Sequence, residues 1–217
     1  MRPPLRTAVV LARSLVGGTT AAHASIILEA RPGFVQPDEN LLFHGDGVFA
    51  GPGPTVQGAT NQTDTIFTLT GMESLVTPSN GQSRVEDEAA AGFESLFIDA
   101  LDADVFYGAF EANLNAEDSG VANIRVVDDS GAVFDFVFDV DGAGQNFFGI
   151  EAADGRLIDT VLITMDGAEL DDVRQIRVGG VSGDDFDSPP DAVPEPTTLL
   201  LLGCALSTAG VVARRRR

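Results

Sequence analysis

The segment Val133–Val140 (Val-Phe-Asp-Phe-Val-Phe-Asp-Val) constrains the fold more than any other stretch of this chain. Phe134, Phe136, Phe138 and Val140 alternate with Val133, Asp135, Val137 and Asp139. A period of two sends one set of side chains to each face of a strand, so the phenylalanines share a buried face and the acids a wet one. Val121–Val127, Phe93–Ala100, Val105–Leu114 and Leu157–Met165 are further strand-like runs rich in β-branched and aromatic residues. Turn signals separate them at Ser119-Gly120, Ser130-Gly131, Asp154-Gly155 and Asp166-Gly167. Strands spaced this closely predict an all-β, antiparallel two-sheet sandwich, with a jelly roll as the expected form. Glu86–Ala91 is expected to make one short turn of helix at most. Ser25–Gln62, rich in Gly and Pro, reads as edge strands joined by long loops within the same domain.

The two ends follow different rules. Met1–Arg6 is basic, Thr7–Thr20 is largely apolar, and Ala22-His23-Ala24 offers a small-x-small cleavage site before Ser25, although Arg13 interrupts the apolar run. That layout is a secretory signal peptide over 1–24, with Ala22, Ala24 and Ser25 at the cut. At the other end, Val193-Pro194-Glu195-Pro196 precedes the uncharged run Thr197–Ala213 and then Arg214, Arg215, Arg216 and Arg217. As a helix, that run would reach about 25 Å, at the short end of what crosses a bilayer core. The arginines prefer the cytoplasmic side, which puts the preceding domain outside. Pro194 and Pro196 enforce an extended approach that leaves the chain near Glu195 open to a protease. The expected organisation is therefore a domain over 25–180, an acidic Pro-containing spacer over 181–192 and a tail over 193–217.

The Pro-Glu-Pro triplet, apolar segment and terminal arginine cluster resemble the PEP-CTERM sorting signal. This resemblance implies an exosortase-type membrane protease as partner, transient anchoring in the inner membrane through the C-terminal helix, and release to the cell surface or exterior. Within the domain, Asn61-Gln62-Thr63, Gly144–Phe148 and Leu170–Arg177 resemble segments of uncharacterised PEP-CTERM proteins. Their cadence is similar to jelly-roll modules whose last strand carries an Asp-Asp or Asp-Asn pair and is tied down by calcium. The resemblance implies a fold and an export route, and assigns no activity.

Charge narrows the remaining choices. Of the 13 Lys+Arg, seven arginines lie in the end segments, leaving six against 32 acids and a formal charge of −26 for 25–192. Such a surface repels polyanions, which excludes nucleic acid as a partner. The single cysteine, Cys204, falls in the tail, so the domain has neither disulfide nor thiol chemistry. With His44 its only histidine after leader removal, it lacks the residues for a His/Cys zinc site. No Gly-x-Ser-x-Gly elbow accompanies His44, which reads as a loop residue. Acids are too abundant for any one pair to identify a glycosidase. The expectation is that the protein is not an enzyme.

Calcium is the best-matched ion, because hard cations take carboxylate and carbonyl oxygens. Asp139 and Asp141, before Gly142, would present two carboxylates at a strand end, and Asp171-Asp172 is a second candidate pair. Asp184-Asp185 is a third, and the spacing from Asp139 does not complete an EF-hand. Sugar recognition would ordinarily use Trp and Tyr, and the chain has no Trp and one Tyr, Tyr107; Phe147-Phe148 would place one ring on each side of a strand. The function expected is a structural or adhesive component associated with exopolysaccharide. A carbohydrate-binding module, with or without calcium, is the alternative, and a secreted hydrolase ranks behind both.

Overall fold

The computed structural model describes residues 9–10, 25–45, 47–78 and 83–182. The signal-peptide residues Ala22 and Ala24 and the whole of 183–217 lie outside them. Thirteen strands are present: β1 Val9–Val10, β2 Ser25–Glu29, β3 Glu39–Leu42, β4 Gly53–Thr60, β5 Ile66–Val76, β6 Arg84–Asp87 and β7 Ser95–Ala100. They continue with β8 Ala109–Ala116, β9 Gly120–Asp128, β10 Val133–Val140, β11 Asn146–Ala153, β12 Ile158–Asp166 and β13 Leu170–Gly179. All pairings are antiparallel, and the described residues contain no helix.

The all-β antiparallel expectation holds, with a feature that alternation could not show. Hydrogen bonds link the strands into one continuous sheet, in the order β1-β2-β11-β8-β13-β3-β4-β5-β7-β12-β9-β10. β6 pairs with both β13 and β5, which closes β13-β3-β4-β5-β6 into a small barrel-like ring. The sheet also folds back on itself. Phe138 of β10, the last strand of the path, packs 5.6 Å from Phe148 of β11, near the opposite end. From there an aromatic file runs through Phe110 at 5.8 Å and Tyr107 at 6.4 Å to Phe67 of β5 at 5.4 Å. The Phe138–Phe148 contact joins β10 and β11, which are not hydrogen-bonded neighbours. The result is a sandwich-like core between β2-β11-β8-β13 on one side and β5-β7-β12-β9-β10 on the other.

β10 spans Val133–Val140, and its burial alternates as expected: Phe134, Phe136, Phe138 and Val140 are buried, while Val133 and Val137 are exposed. Each successive strand from β10 to β13 switches layer, so the short turns gather at the two ends of the sandwich. Asp154 and Gly155 both take positive φ, 59° and 78°, in the β11–β12 turn.

Three expectations need correction. Ser25–Gln62 is only partly an edge: β2 lies at the end of the sheet, outside it only the two-residue β1, but β3 sits between β13 and β4, and β4 between β3 and β5. Its short apolar pairs suffice because Leu41, Phe43 and Val56 are all buried in the main core. Glu86–Ala91 contains no helical turn; β6 runs through Asp87, whose carboxylate accepts from the Ala91 backbone N–H at 2.9 Å and rounds off a turn. The chain also stays in the fold beyond β13, since Ser182 exchanges backbone and side-chain hydrogen bonds with Phe106 at 2.7, 2.8 and 2.9 Å. At the N-terminal side, β2 begins at Ser25, the first residue after the expected cleavage point. Val9–Val10, inside the expected leader, pairs with Leu28 and Glu29 on the outer edge of β2.

Candidate functional site

Asn61-Gln62-Thr63 and Gly144–Phe148 act locally as staples. The carboxylate of Glu39, almost fully buried, accepts the Thr63 backbone N–H at 2.9 Å and that of Gln62 at 3.2 Å. The Thr63 hydroxyl donates to it as well, at 3.0 Å. Asn61 Oδ1 accepts the Asn40 N–H at 2.7 Å, so the β4–β5 turn is pinned to β3. Asn146 does the same for the β10–β11 turn: its Nδ2 donates to the Leu114 and Asp141 carbonyls, and its Oδ1 accepts from the Asp141 N–H. Buried carboxylates and amides satisfied in this way organise the loops they bond.

Ion pairing is complete on the cationic side. Arg31, Arg84, Arg125, Arg156, Arg174 and Arg177, the six arginines of 25–182, each face a carboxylate. Three of their partners, Asp128, Asp172 and Glu111, are buried. Among the described residues the remaining acids therefore stand without a cationic side chain, which leaves the surface of 25–182 strongly negative.

The four proposed calcium ligands fall into different settings. Asp139 projects outward from β10, and Asp141 opens the next turn. Gly142 beside it is required by close approach: a Cβ there would lie 2.6 Å from the Glu117 carbonyl oxygen. Asp172 is committed to Arg174, with Nε to Oδ1 at 2.6 Å, and this bond raises the Arg174 pKa above its ordinary value. Asp171 faces a bowl of about 490 Å³ whose other acids are Glu94, Glu117, Asp118, Asp166 and Glu169. The sandwich end thus collects carboxylates from three turns, with no cation-binding trio of His, Cys, Asp or Glu among the described residues.

A second acidic group lies around the β11–β12 turn. Asp128 Oδ1 accepts from Ser130 N–H at 2.9 Å, Ser130 Oγ–H at 2.6 Å and Ala132 N–H at 2.8 Å. Its Oδ2 lies 3.7 Å from Arg156 Nη1. Burial alone would raise the Asp128 pKa; these hydrogen bonds and Arg156 outweigh it, and the pKa falls below its ordinary value. Asp159 moves the other way, raised by burial and then by the charges of Asp128 and Asp129. Asp99 is raised by burial and then by Asp159. Burial, followed by the charges of Asp99 and Asp159, pushes the Tyr107 phenol well above its ordinary range. Tyr107 is therefore core, not a sugar platform. His44 is a loop residue, its Nε2 2.9 Å from the Pro78 carbonyl oxygen.

The sequence reading missed a pocket on the outer face of β3, β8, β11 and β13. About 460 Å³ in volume, it is lined by Asn40, Leu42, Glu111, Phe147, Gln175 and Arg177. It exists because β13 carries a bulge between Arg174 and Arg177. Gln175, at φ 54°, is the extra residue, so Arg174 and Gln175 both project outward while Val173 and Ile176 face the core. The signal was present in Val173-Arg174-Gln175-Ile176-Arg177-Val178, where two consecutive polar residues break strict alternation. Of Phe147-Phe148, one ring enters the core and Phe147 stays half-buried at the pocket wall, as period two requires.

Comparison with known proteins bears on the tail. Residues 192–217 match the family described as the PEP-CTERM protein-sorting motif. No curated protein and no solved structure matches the chain. Val193, Pro194, Glu195, Pro196 and Arg214–Arg217 all fall within the matched span, although outside the described residues. The motif marks an exported protein, sorted through the membrane and processed by an exosortase, itself a membrane protein. The chain thus carries a PEP-CTERM protein-sorting motif at residues 192–217, behind the all-β domain.

Proposed function

We propose that this protein is a non-enzymatic structural or adhesive component of the cell surface or extracellular matrix, associated with exopolysaccharide. The observation that carries the reading is the sorting motif joined to an all-β domain whose buried acids are hydrogen-bonded or ion-paired. A hydrolytic pair would need two carboxylates converging on a cleft with separated proton affinities. Glu39, Asp87, Asp128 and Asp172 are instead absorbed in turns and arginine pairs. The acidic surface, without free arginine, favours a solvated matrix protein that stays apart from anionic lipid and nucleic acid. The test is genetic and physical. Deleting the chain weakens matrix cohesion in the host, and the wild-type protein co-fractionates with the polysaccharide. Unchanged cohesion, with the protein free in the medium, contradicts the proposal.

A second reading, a carbohydrate-binding module, is favoured by the pocket above the β13 bulge, where amide side chains and a half-buried ring share one wall.

A further inference from the structure

We propose that this pocket binds a neutral sugar unit, held by the Asn40 and Gln175 amides and the Arg177 guanidinium, with Phe147 against the apolar face of the sugar ring. The proposal deepens the polysaccharide-associated reading above and rests on it for the source of the ligand.

Four observations converge on the pocket. First, it carries unspent polar groups. Asn113, beside the pocket and not in its lining, is 1% exposed; its Nδ2 donates to Gln175 Oε1 at 3.3 Å, and among the described residues its Oδ1 has no partner. A buried polar atom left unpaired costs about 1–3 kcal/mol, so the wall behind the Gln175 amide is under-satisfied as it stands. Arg177 Nε is also buried without a partner, and among the described residues the Asn40 side-chain amide makes no hydrogen bond. Second, Gln175 holds a left-handed backbone conformation at φ 54°, which few side chains other than Gly, Asn and Asp adopt readily. Strain of this kind persists where the surroundings over-determine it, and it gathers at ligand sites. Here the bulge puts the Gln175 amide at the pocket mouth, and its backbone N–H stays satisfied by the Ser83 carbonyl at 3.0 Å.

Third, the pocket is electrically balanced. Arg177 faces Glu111 at 3.6 Å and also donates to the Pro37 carbonyl, so no free cation is left to attract an anion. The formal charge of −26 around it adds repulsion against anionic sugars and phosphates. Amide donors and acceptors beside a neutralised ion pair suit neutral hydroxyls. Fourth, the volume of about 460 Å³ lies in the range of small-molecule sites, and the half-buried Phe147 ring with Leu42 supplies an apolar wall. An amphipathic ring compound with hydroxyls at its rim matches this division of polar and apolar surface.

The strain at Gln175 makes the test discriminating. Gln175→Gly removes the amide and relieves the positive φ, a gain that offsets the lost bond from Asn113 Nδ2, while Asn40→Ala removes an exposed amide with no such bond. The full chain, in a detergent without a sugar headgroup, is titrated with glucose, galactose, mannose, maltose, cellobiose and lactose to about 10 mM, a range that detects weak single-unit binding. Ligand-observed NMR reads contact, and side-chain amide shifts read the site. The expected result is contact with at least one sugar, loss of at least about tenfold in affinity in Gln175→Gly while it remains folded, and a similar loss in Asn40→Ala with an unchanged melting temperature. No contact with any of the six sugars overturns the proposal, as does contact unchanged in both variants. Cohesion and co-fractionation of the wild-type chain report separately on the matrix reading, which survives if only the sugar titration fails.

Discussion

Asp128 closes the β9–β10 hairpin, and removing it measures how far the acids of this domain serve as turn clamps. Its Oδ1 takes three hydrogen bonds within the turn, and the side chain is fully buried. Asp128→Ala leaves the Ser130 and Ala132 N–H groups to find water at the turn. At about 1 kcal/mol net per bond, the loss is about 3 kcal/mol, within the reach of one interaction network in a marginally stable domain. Asp128→Asn keeps an oxygen acceptor and loses the charge that faces Arg156, so it costs about 1 kcal/mol. Urea unfolding followed by far-UV circular dichroism gives both values. The pH dependence carries a sign. The folded pKa of Asp128 is depressed, so its ionised form adds stability at pH above the unfolded value, and that stability is lost as pH falls through the folded pKa. The gap between wild type and Asp128→Asn therefore closes below about pH 4, the ordinary aspartate range. Equal losses in the Ala and Asn variants, or a loss under about 0.5 kcal/mol in Ala, would refute the clamp.

Asp159 behaves oppositely: its folded pKa is raised, so its ionisation destabilises the fold as pH rises through the unfolded value. Asp159→Asn is expected to stabilise the protein at pH 7 by less than about 1 kcal/mol and to have no effect in acid, read from paired thermal melts; destabilisation at pH 7 would contradict it. Phe148→Ala removes the ring that joins Phe110 to Phe138 across the layers and should cost about 3–5 kcal/mol in denaturant unfolding, whereas a surface-sized loss would mean that the layers do not depend on this file. For the acidic bowl, calcium and magnesium at equal ionic strength are expected to raise the melting temperature equally, as diffuse screening of Glu94, Glu117, Asp118, Asp166, Glu169 and Asp171; stabilisation by calcium alone would reveal coordination instead.

Alternation made β10 legible to the residue, because its faces are chemically opposite and nothing interrupts the period. β7, β8, β9 and β12 were visible for the same reason, with ends shifted where an isolated bridge such as Tyr107–Ile158 replaces a full ladder. The placement of β3, β4 and β6 was not legible. Whether Leu41 lies at an edge or in the interior depends on partners far along the chain, and only the closed ring with β5 and β13 decides it. The acids of the bowl look like any surface acids in sequence, since their grouping comes from turns that the layer switching brings to one end. The pocket had a local cue in Arg174-Gln175, but its other walls come from β3, β8 and β11. The sorting tail needed no tertiary structure at all: composition, proline placement and terminal charge were enough, and the matched span 192–217 contains each of them.

The exported, exosortase-processed status of the chain is tested most directly by intact mass and cell fractionation of the protein purified from its own host. The expected species begins at Ser25, ends near Glu195 and lies outside the cytoplasmic membrane. A species that retains Arg214–Arg217 and stays in the inner membrane would contradict that processing and make the all-β domain a tethered one.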